Sequence, residues 1–438
     1  MEMEWYWALA TLIGMVIFFM AMGIPVALTF ITTNIIGVII FMGDTTGWLQ
    51  IADNSTSLIT RFTLGPVPMF IMMGSLFFHT GLAIRVFDGL DVLFGRLTGR
   101  LCYLTVAGGA LFSTLTGSSM ANTAMLGSLM VPEMKRRGYS QRMSMGPILG
   151  TGGLAMIIPP SALGVLLASV ANIDVGRLLV AGFLPGFVLA GLYAALIFLQ
   201  IRFNPASAPA YDVEQVDMKK RLQIIATNIL PMGMVVFMVV GFIIFGWATP
   251  TEAAAFGVLG VIILAVAFRA MSFTAMKTSI EATVKVGAMV FFIIMSSTVF
   301  SQLLSYSGAS AGLLEWVTGF NISKYWILFF MFFILIALGM FMDATSMMLI
   351  TVPIFFPLAE QLGFNLIWFG LFVLMTFEMA GTTPPFGLLL YVMLGVAPKG
   401  TTLFQVATAA FPFLVCDAIL ILIMVFYPGL ALWLPSLM

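Results

Sequence analysis

This chain of 438 residues contains very little charge. Charged side chains make up 8% of it, against about 25% in a typical soluble domain. The 18 basic and 18 acidic residues also cancel to a net charge of zero, so the basic surface that nucleic-acid binding needs is not expected. With 61% hydrophobic residues and a mean hydropathy of +1.12, the composition predicts a protein that crosses a membrane many times.

The chain is also short of the side chains that enzymes use. It has one histidine, His79, and two cysteines, Cys102 and Cys416, which both lie in apolar stretches. A single histidine cannot form a metal centre, and the cysteines are interpreted as packing residues. Since a membrane enzyme would need clustered His, Asp or Glu side chains, the sequence favours a protein that is not an enzyme.

Long apolar segments are what the sequence has in abundance. The runs 229–248 and 327–342 contain no charged residue. Because a helix needs about 20 apolar residues to span a bilayer, we expect an all-α polytopic membrane protein with about ten spans. The first residues, MEMEWYW, lack the basic start of a cleaved signal peptide, so the first apolar run is expected to be a retained span.

Prolines and glycines recur at one fixed distance along the chain. Four pairs are each separated by 225 residues: Pro25 and Pro250, Pro132 and Pro357, Gly138 and Gly363, and Pro159-Pro160 and Pro384-Pro385. This pattern predicts two repeats, 1–201 and 224–438. The polar segment 202–223 between them is predicted to be a cytoplasmic linker, since it carries a basic cluster.

Basic residues predict that the two repeats are inverted. Arginines and a lysine flank the segment 101–134 on both sides, which places both flanks in the cytoplasm. Each leg of this segment is about 16 residues, or roughly 24 Å of helix, too short for a hydrocarbon core of about 30 Å. We therefore expect a re-entrant hairpin there, and a second one at 325–358 that enters from outside. Both termini are then predicted to be periplasmic.

The predicted hairpin tips are the candidate binding sites. Irregular backbone at membrane depth is tolerated where it lines a cavity, and inverted-repeat transporters bind ions and substrate there. The first tip offers Ser118, Ser119 and Asn122, and faces the segment GTGGLAMIIPP at 150–160. Small-residue helix packing is the alternative for the serines. Hydroxyl and carbonyl oxygens at such a tip suit a hard cation such as Na⁺.

The second tip carries an acid within an apolar run. Asp343, Thr345 and Ser346 face the segment EMAGTTPP at 378–385, whose carbonyl groups could complete an oxygen shell. An intramembrane acid indicates a functional site, although Asp343 could instead, or also, be a helix N-cap. Glu378 is interpreted as a helix-terminal or pairing residue.

Five segments together resemble one transporter family. They are GSSMANTAMLGSLMVPEMKRRGYS, PMFIMMG, TPTEAAAFGVLG, FMDATSMMLITVPIFFPLA and EMAGTTPPFGLLLYV. In sequence and order they are similar to the large, DctM-like membrane subunit of tripartite ATP-independent periplasmic (TRAP) transporters. The resemblance runs from about Gly23 to Pro412. The sequence has no ATP-binding P-loop, which fits such a protein.

The resemblance implies Na⁺-driven uptake of an organic acid across the bacterial inner membrane by an elevator-type fold. It implies two partners, a small four-helix membrane subunit (DctQ-like) and a periplasmic substrate-binding protein (DctP-like), and no ATP. The implied first Na⁺ site is Ser118, Ser119, Asn122, Gly153 and Pro159, and the second is Asp343, Thr345, Ser346, Gly381, Thr383 and Pro384. Substrate contacts are expected at Ser119, Asn122 and Thr382. Arg61 is expected at the outer membrane interface, with contact to the substrate anion as the alternative.

Two other transport mechanisms are alternatives. A stand-alone ion-coupled carboxylate carrier would have the same broad architecture and would need no binding protein. A channel would need a continuous polar lining, whereas two hairpins that enter from opposite faces favour alternating access. The sequence therefore favours the tripartite transporter, with the stand-alone carrier as the alternative.

Overall fold

A computed structural model describes residues 3–43, 45–59, 64–95, 97–116, 119–209, 217–320 and 322–438. Every regular element in these ranges is a helix. The α-helices are α1 Trp5–Ala21, α2 Val26–Phe41, α3 Thr45–Ile59, α4 Pro66–His79, α5 Leu82–Phe94, α6 Arg100–Thr116, α7 Ser119–Arg136, α8 Gln141–Ile157, α9 Ala162–Val170, α10 Val175–Phe203, α11 Met218–Ile224, α12 Leu230–Ile244, α13 Pro250–Ala267, α14 Phe273–Tyr306, α15 Ala309–Gly319, α16 Lys324–Gly339, α17 Ala344–Gln361, α18 Leu366–Thr382, α19 Leu388–Val396, α20 Leu403–Phe426 and α21 Gly429–Leu432.

Several of these helices are long and apolar enough to cross a membrane. By length and composition, five described helices qualify: α10, α13, α14, α20, and the continuous helical stretch Met218–Ile244. Two bent pairs qualify together, α4 with α5 at 69° and α8 with α9 at 45°. Five shorter apolar helices accompany them, including α1, α2 and α16. The structure thus confirms an all-helical, membrane-type architecture, and the number of about ten spans stays a prediction.

Helix bounds follow the same 225-residue offset as the prolines. Helices α7 and α17 begin at Ser119 and Ala344 and end at Arg136 and Gln361. Helices α8 and α18 start at Gln141 and Leu366 and end at Ile157 and Thr382. The division into inverted repeats at 1–201 and 224–438, with a linker at 202–223, stays a prediction, because these bounds do not orient either half in a membrane.

The segments predicted to form hairpins are each a pair of helices that pack together. The pair α6 and α7 covers the predicted 101–134, and the pair α16 and α17 covers 325–358. Four residues, 340–343, separate α16 from α17. Residues 117 and 118 lie outside the described residues. Each pair therefore places a helix start, that of α7 or of α17, at the predicted tip.

Two central helices position these tips. Every residue of α8 from Met143 to Ile157 is buried, and α18 is buried from Trp368 to Ala380. They pack against each other and both contact α20. Glycines allow this close approach, because a Cβ atom added at Gly146 or Gly150 would lie 2.7 Å or 2.4 Å from the ring of Phe413. The helices next to the tips thus form the most enclosed part of the molecule.

Candidate cation and substrate site

One cavity of about 300 Å³ brings the two predicted tips together. Ser119 and Met120 line it from the start of α7, and Asp343 lines it from the start of α17. Helix α18 adds Glu378 and Gly381. The rest of the wall consists mainly of apolar side chains from α4, α9 and α14. Residues that the sequence assigns to two separate sites therefore share one cavity.

At the first tip, α7 is held against both central helices. The Ser119 hydroxyl donates a hydrogen bond to Glu378 Oε2 at 2.8 Å and lies 3.3 Å from the carbonyl oxygen of Gly152. One turn further along, Asn122 Nδ2 donates to Thr151 Oγ1 at 3.4 Å. Ser119 and Asn122 thus face the 150–160 segment.

From the sequence, Glu378 is interpreted only as a helix-terminal or pairing residue. It lies within α18, four residues before the end of that helix, and its side chain is 2% exposed. One carboxylate oxygen accepts the Ser119 hydroxyl, whereas no hydrogen-bond donor among the described residues reaches Oε1. Oε1 instead fills the space beside Gly152, 2.0 Å from where a Cβ atom would stand. Glu378 is therefore a buried, half-satisfied carboxylate beside the first tip.

At the second tip, Asp343 is the N-cap of α17. Its Oδ2 accepts the backbone N–H groups of Thr345 at 3.0 Å and of Ser346 at 3.4 Å, and the Ser346 hydroxyl donates to Oδ1. These bonds satisfy backbone groups that would otherwise lack partners at a helix start. The side chain is half-buried and lines the cavity. The capping role that the sequence allowed is present, and it leaves the carboxylate facing the space where a cation could sit.

The other described residues predicted for the sites are not part of the cavity lining: Asn122, Gly153, Pro159, Ser346, Thr382, Thr383 and Pro384. Gly153 and Pro159 are buried, the first within α8 and the second in the turn after it. The hydroxyls of Thr382 and Thr383 both donate to the carbonyl oxygen of Met379. Pro384 is exposed in the turn after α18. Ser118 and Arg61 lie outside the described residues.

A second buried acid was not singled out by the sequence. Asp417 of α20 is 3% exposed and accepts the phenolic hydroxyl of Tyr193 at 2.5 Å. It lies close to Glu378, since a Cβ atom added at Gly153 would be 3.5 Å both from Asp417 Oδ1 and from Glu378 Cγ. The same signal that marked Asp343, an acid inside an apolar run, marks both Glu378 and Asp417.

No basic side chain neutralises these acids in the part of the chain that the structure describes. The ion pairs found there join Arg100 to Asp91, Lys277 to Glu281, and both Arg136 and Arg137 to Glu133. None of them involves Asp343, Glu378 or Asp417. Lys, Arg and His are likewise absent from the described lining of the cavity. The centre of the molecule is thus rich in oxygen acceptors and poor in positive charge.

This donor set fits a small, hard cation such as Na⁺. Carboxylate, hydroxyl and carbonyl oxygens are the ligands that such cations prefer. The unpartnered Oε1 of Glu378 gives an oxygen with unused bonding capacity next to Ser119 and Gly152. At the second tip, Asp343 and Thr345 line the cavity and could hold a cation there, whereas the buried Ser346 hydroxyl donates to Asp343.

Comparison of the sequence with known protein families identifies the family of this chain. Residues 13–430 match the tripartite ATP-independent periplasmic transporter, DctM component. The chain belongs to the DctM family. The resemblance predicted from the sequence motifs is therefore confirmed, and the protein is the large permease component of a TRAP transporter.

Named relatives share nearly the whole length of this DctM protein. It is 28% identical to the C4-dicarboxylate TRAP transporter large permease protein of Rhodobacter capsulatus, over 97% of this chain and 98% of that one. The corresponding Pseudomonas aeruginosa protein is 30% identical, over 91% and 92%. The ectoine TRAP transporter large permease protein of Halomonas elongata is 26% identical, over 98% of each chain. These relatives are permeases, in line with a transport protein rather than an enzyme.

A solved structure supports the fold. The YdaH transporter of Alcanivorax borkumensis superposes on this DctM chain with a TM-score of 0.62, covering 90% of this chain and 89% of that one at 13% identity. At this identity the likeness concerns the fold alone. It shows that the helical arrangement described here is one that a transporter adopts.

Proposed function

We propose that this DctM protein couples the inward movement of Na⁺ to the import of an organic acid across the bacterial inner membrane. The observation that carries the proposal is the shared cavity, where two carboxylates without basic partners, Asp343 and Glu378, meet the starts of two helices. An intramembrane carboxylate is costly unless it is paired. A bound cation is the partner that this lining lacks.

An anionic substrate fits the same cavity. Helix α7 begins at its wall, and the backbone N–H groups at a helix start favour negative charge. At the start of α17, Asp343 already accepts the N–H groups of Thr345 and Ser346. The relatives named above transport C4-dicarboxylates or ectoine, and all of these molecules carry carboxylate groups. Because the cavity lining has acids and no described basic residue, a cation bound beside Asp343 or Glu378 would have to offset the repulsion between acid and substrate. Coupling of substrate to Na⁺ then follows from charge balance.

We also propose the two partners that the family name implies. A periplasmic substrate-binding protein would deliver the acid, and a small membrane subunit would assemble with this chain. Both termini would lie in the periplasm. Transport would proceed by an elevator-type movement.

The test is uptake into proteoliposomes that contain this chain and its small subunit. Labelled C4-dicarboxylate and ectoine would be offered with the binding protein, under an inward gradient of Na⁺ or of choline. We expect uptake of one of them only when both the Na⁺ gradient and the binding protein are present. Uptake that is equal in choline would refute Na⁺ coupling. Strong uptake by this chain alone at micromolar substrate would favour the stand-alone carrier.

A further inference from the structure

We propose that Glu378 supplies the carboxylate ligand of the first cation site, so that the second half of the chain completes the site whose tip belongs to the first half. This inference rests on the proposed Na⁺ coupling. The sequence motif at the first tip offers only neutral ligands, namely serines, an asparagine and backbone carbonyls. The structure adds an acid to them from 259 residues further along the chain.

The contacts of Glu378 place it within that site. Its Oε2 lies 2.8 Å from the Ser119 hydroxyl, and the same hydroxyl lies 3.3 Å from the Gly152 carbonyl oxygen. Oxygen atoms from α18 and α8 therefore both lie within hydrogen-bond distance of the Ser119 hydroxyl at the start of α7. Such convergence of oxygens at the end of a helix is what a hard monovalent cation requires.

Burial makes a cation the most suitable partner for Glu378. The side chain is 2% exposed, and no donor in the described ranges reaches Oε1. Buried polar groups in native proteins are nearly always paired, and an unpaired one points to a ligand, a water or a function. Glu378 also lines the cavity, so a cation could reach it from there.

Gly152 leaves the space beside α8 that the carboxylate of Glu378 occupies. A Cβ atom at Gly152 would stand 2.0 Å from Oε1, so residue 152 must lack a side chain for Glu378 to lie against α8. The equivalent position in the first half of the chain has a different residue. The residue 225 positions before Glu378 is Gly153, and no acid stands there. One carboxylate therefore lies beside each tip. Asp343 belongs to the second tip itself, whereas Glu378 reaches the first tip from α18.

Asp417 provides the matched control. It is as deeply buried as Glu378, at 3% exposure, and it belongs to a helix that also packs on α8. Its Oδ1 already accepts the Tyr193 hydroxyl at 2.5 Å, so this acid has a protein partner. Neutralising Asp417 therefore removes a buried charge from the immediate neighbourhood of Glu378 without removing the proposed cation ligand.

The experiment measures Na⁺ binding without transport. The chain, purified with its small subunit in detergent, would be heated at increasing NaCl concentrations, with choline chloride holding the ionic strength constant. For Glu378→Gln we expect the NaCl concentration that gives half-maximal stabilisation to rise by at least ~10-fold, the lower bound for losing groups around a bound metal. Asp417→Asn should respond to NaCl like the wild-type chain, even if its melting temperature is lower throughout.

The outcomes separate the two proposals. Wild-type protein that gains no more stability from NaCl than from choline chloride would refute the Na⁺ coupling, and this inference with it. Wild-type stabilisation that Glu378→Gln reproduces at the same NaCl concentration would overturn the assignment of Glu378 and leave the coupling intact. An equal rise for Asp417→Asn would also overturn the assignment, because it would show a general effect of buried charge.

A second variant covers the case in which Glu378→Gln does not fold. Glu378→Asp keeps the charge but withdraws the carboxylate from Ser119 by one methylene. Its half-maximal NaCl concentration is expected to lie above that of the wild type. An unchanged value would show that the carboxylate position does not matter and would overturn the proposal.

Discussion

Helices α7 and α17 begin at the two tips and occupy corresponding positions along the chain. The negative charge beside each tip nevertheless comes from a different part of the structure. At the second tip, Asp343 belongs to the tip itself and caps the helix that follows. At the first tip, the helix begins with Ser119, and the acid arrives from a helix of the other half as Glu378. Backbone position is therefore repeated along the chain, whereas the side chains that carry charge are not. A repeat can conserve the geometry of a site and redistribute its chemistry.

This difference has a consequence for stability. Asp343 contributes hydrogen bonds to its own helix, so it serves the fold even without a ligand. Glu378 has one protein donor and one oxygen without any, so the fold gains little from its charge. We therefore expect the first tip to depend on a bound cation more than the second.

The largest effect is expected from the sidedness of the two helix ends. Arg136 and Glu360 are both exposed, at the C-terminal ends of α7 and α17. Because the repeats are predicted to be inverted, Arg136→Cys should react with an impermeant thiol reagent only from the cytoplasmic side, and Glu360→Cys only from the periplasmic side. The native Cys102 and Cys416 are buried, so the unmodified chain is the control. If both variants were labelled from the same side, the repeats would not be inverted and the two tips would not be equivalent.

A large loss of stability is expected from Gly152→Ala. The added Cβ atom would lie 2.0 Å from Glu378 Oε1 and 3.0 Å from its Cδ, so the Glu378 side chain would have to leave its position against α8. Overpacking of this kind costs about 1–3 kcal/mol, and it should lower the melting temperature together with the response to NaCl. The control is Gly191→Ala in α10, where no atom lies within 4 Å of the new Cβ. If both variants melt like the wild type, Glu378 does not occupy the place described.

Asp343→Asn should separate coupling from capping at the second tip. Asparagine caps helices about as well as aspartate, so α17 should keep its hydrogen bonds and the melting temperature in choline should change little. The charge is lost, and the Na⁺ dependence of uptake should weaken strongly. Asp174→Asn is the matched control, because Asp174 caps α10 in the same way, at 2.7 Å from the Arg177 N–H, and does not line the cavity. An Asp343→Asn protein with unchanged Na⁺ affinity and rate would show that Asp343 is only a cap.

The smallest effect is expected from exchanging the first residues of the two helices. Ser119→Ala removes the hydroxyl that Glu378 accepts, which should cost about 1 kcal/mol, the net contribution of a typical hydrogen bond. Ala344 is the residue 225 positions later and is half-buried. Ala344→Ser adds a hydroxyl next to Asp343, which already has three donors, so we expect no gain in stability. Thermal unfolding of both variants measures the difference. Equal effects would mean that the tips do not differ in this respect.

Much of this arrangement could be predicted from the sequence. The spacing of the repeated prolines and glycines predicted the 225-residue offset that the helix bounds follow, although Pro132 and Pro357 lie within α7 and α17 and not at their ends. The helix pairs around each tip were predicted from the charged flanks and from the short length of each leg. Asp343 was found because a charge in a long apolar run is rare, and its capping role because Asp before Thr-Ser is a common helix start. The family followed from the motifs around the same residues.

The role of Glu378 could not be predicted in the same way. Its partner, Ser119, is distant in sequence, and no periodic pattern tells which face of α18 meets which turn of α7. Both central helices are buried on all sides, so they lack the amphipathic stripe that indicates packing direction. The glycine pair at 152 and 153 is recognisable, but only the structure shows that a carboxylate fills the space beside the first glycine.

The most direct test of this account counts the Na⁺ ions that one chain binds at equilibrium. Radioactive Na⁺ would be titrated into the purified complex of this chain and its small subunit, as wild type, Glu378→Gln, Asp343→Asn and the double variant. Two sites with one carboxylate each predict that either single variant binds one Na⁺ fewer than the wild type at moderate concentration, and that the double variant binds neither. Stoichiometry that is the same in all four proteins would contradict the account.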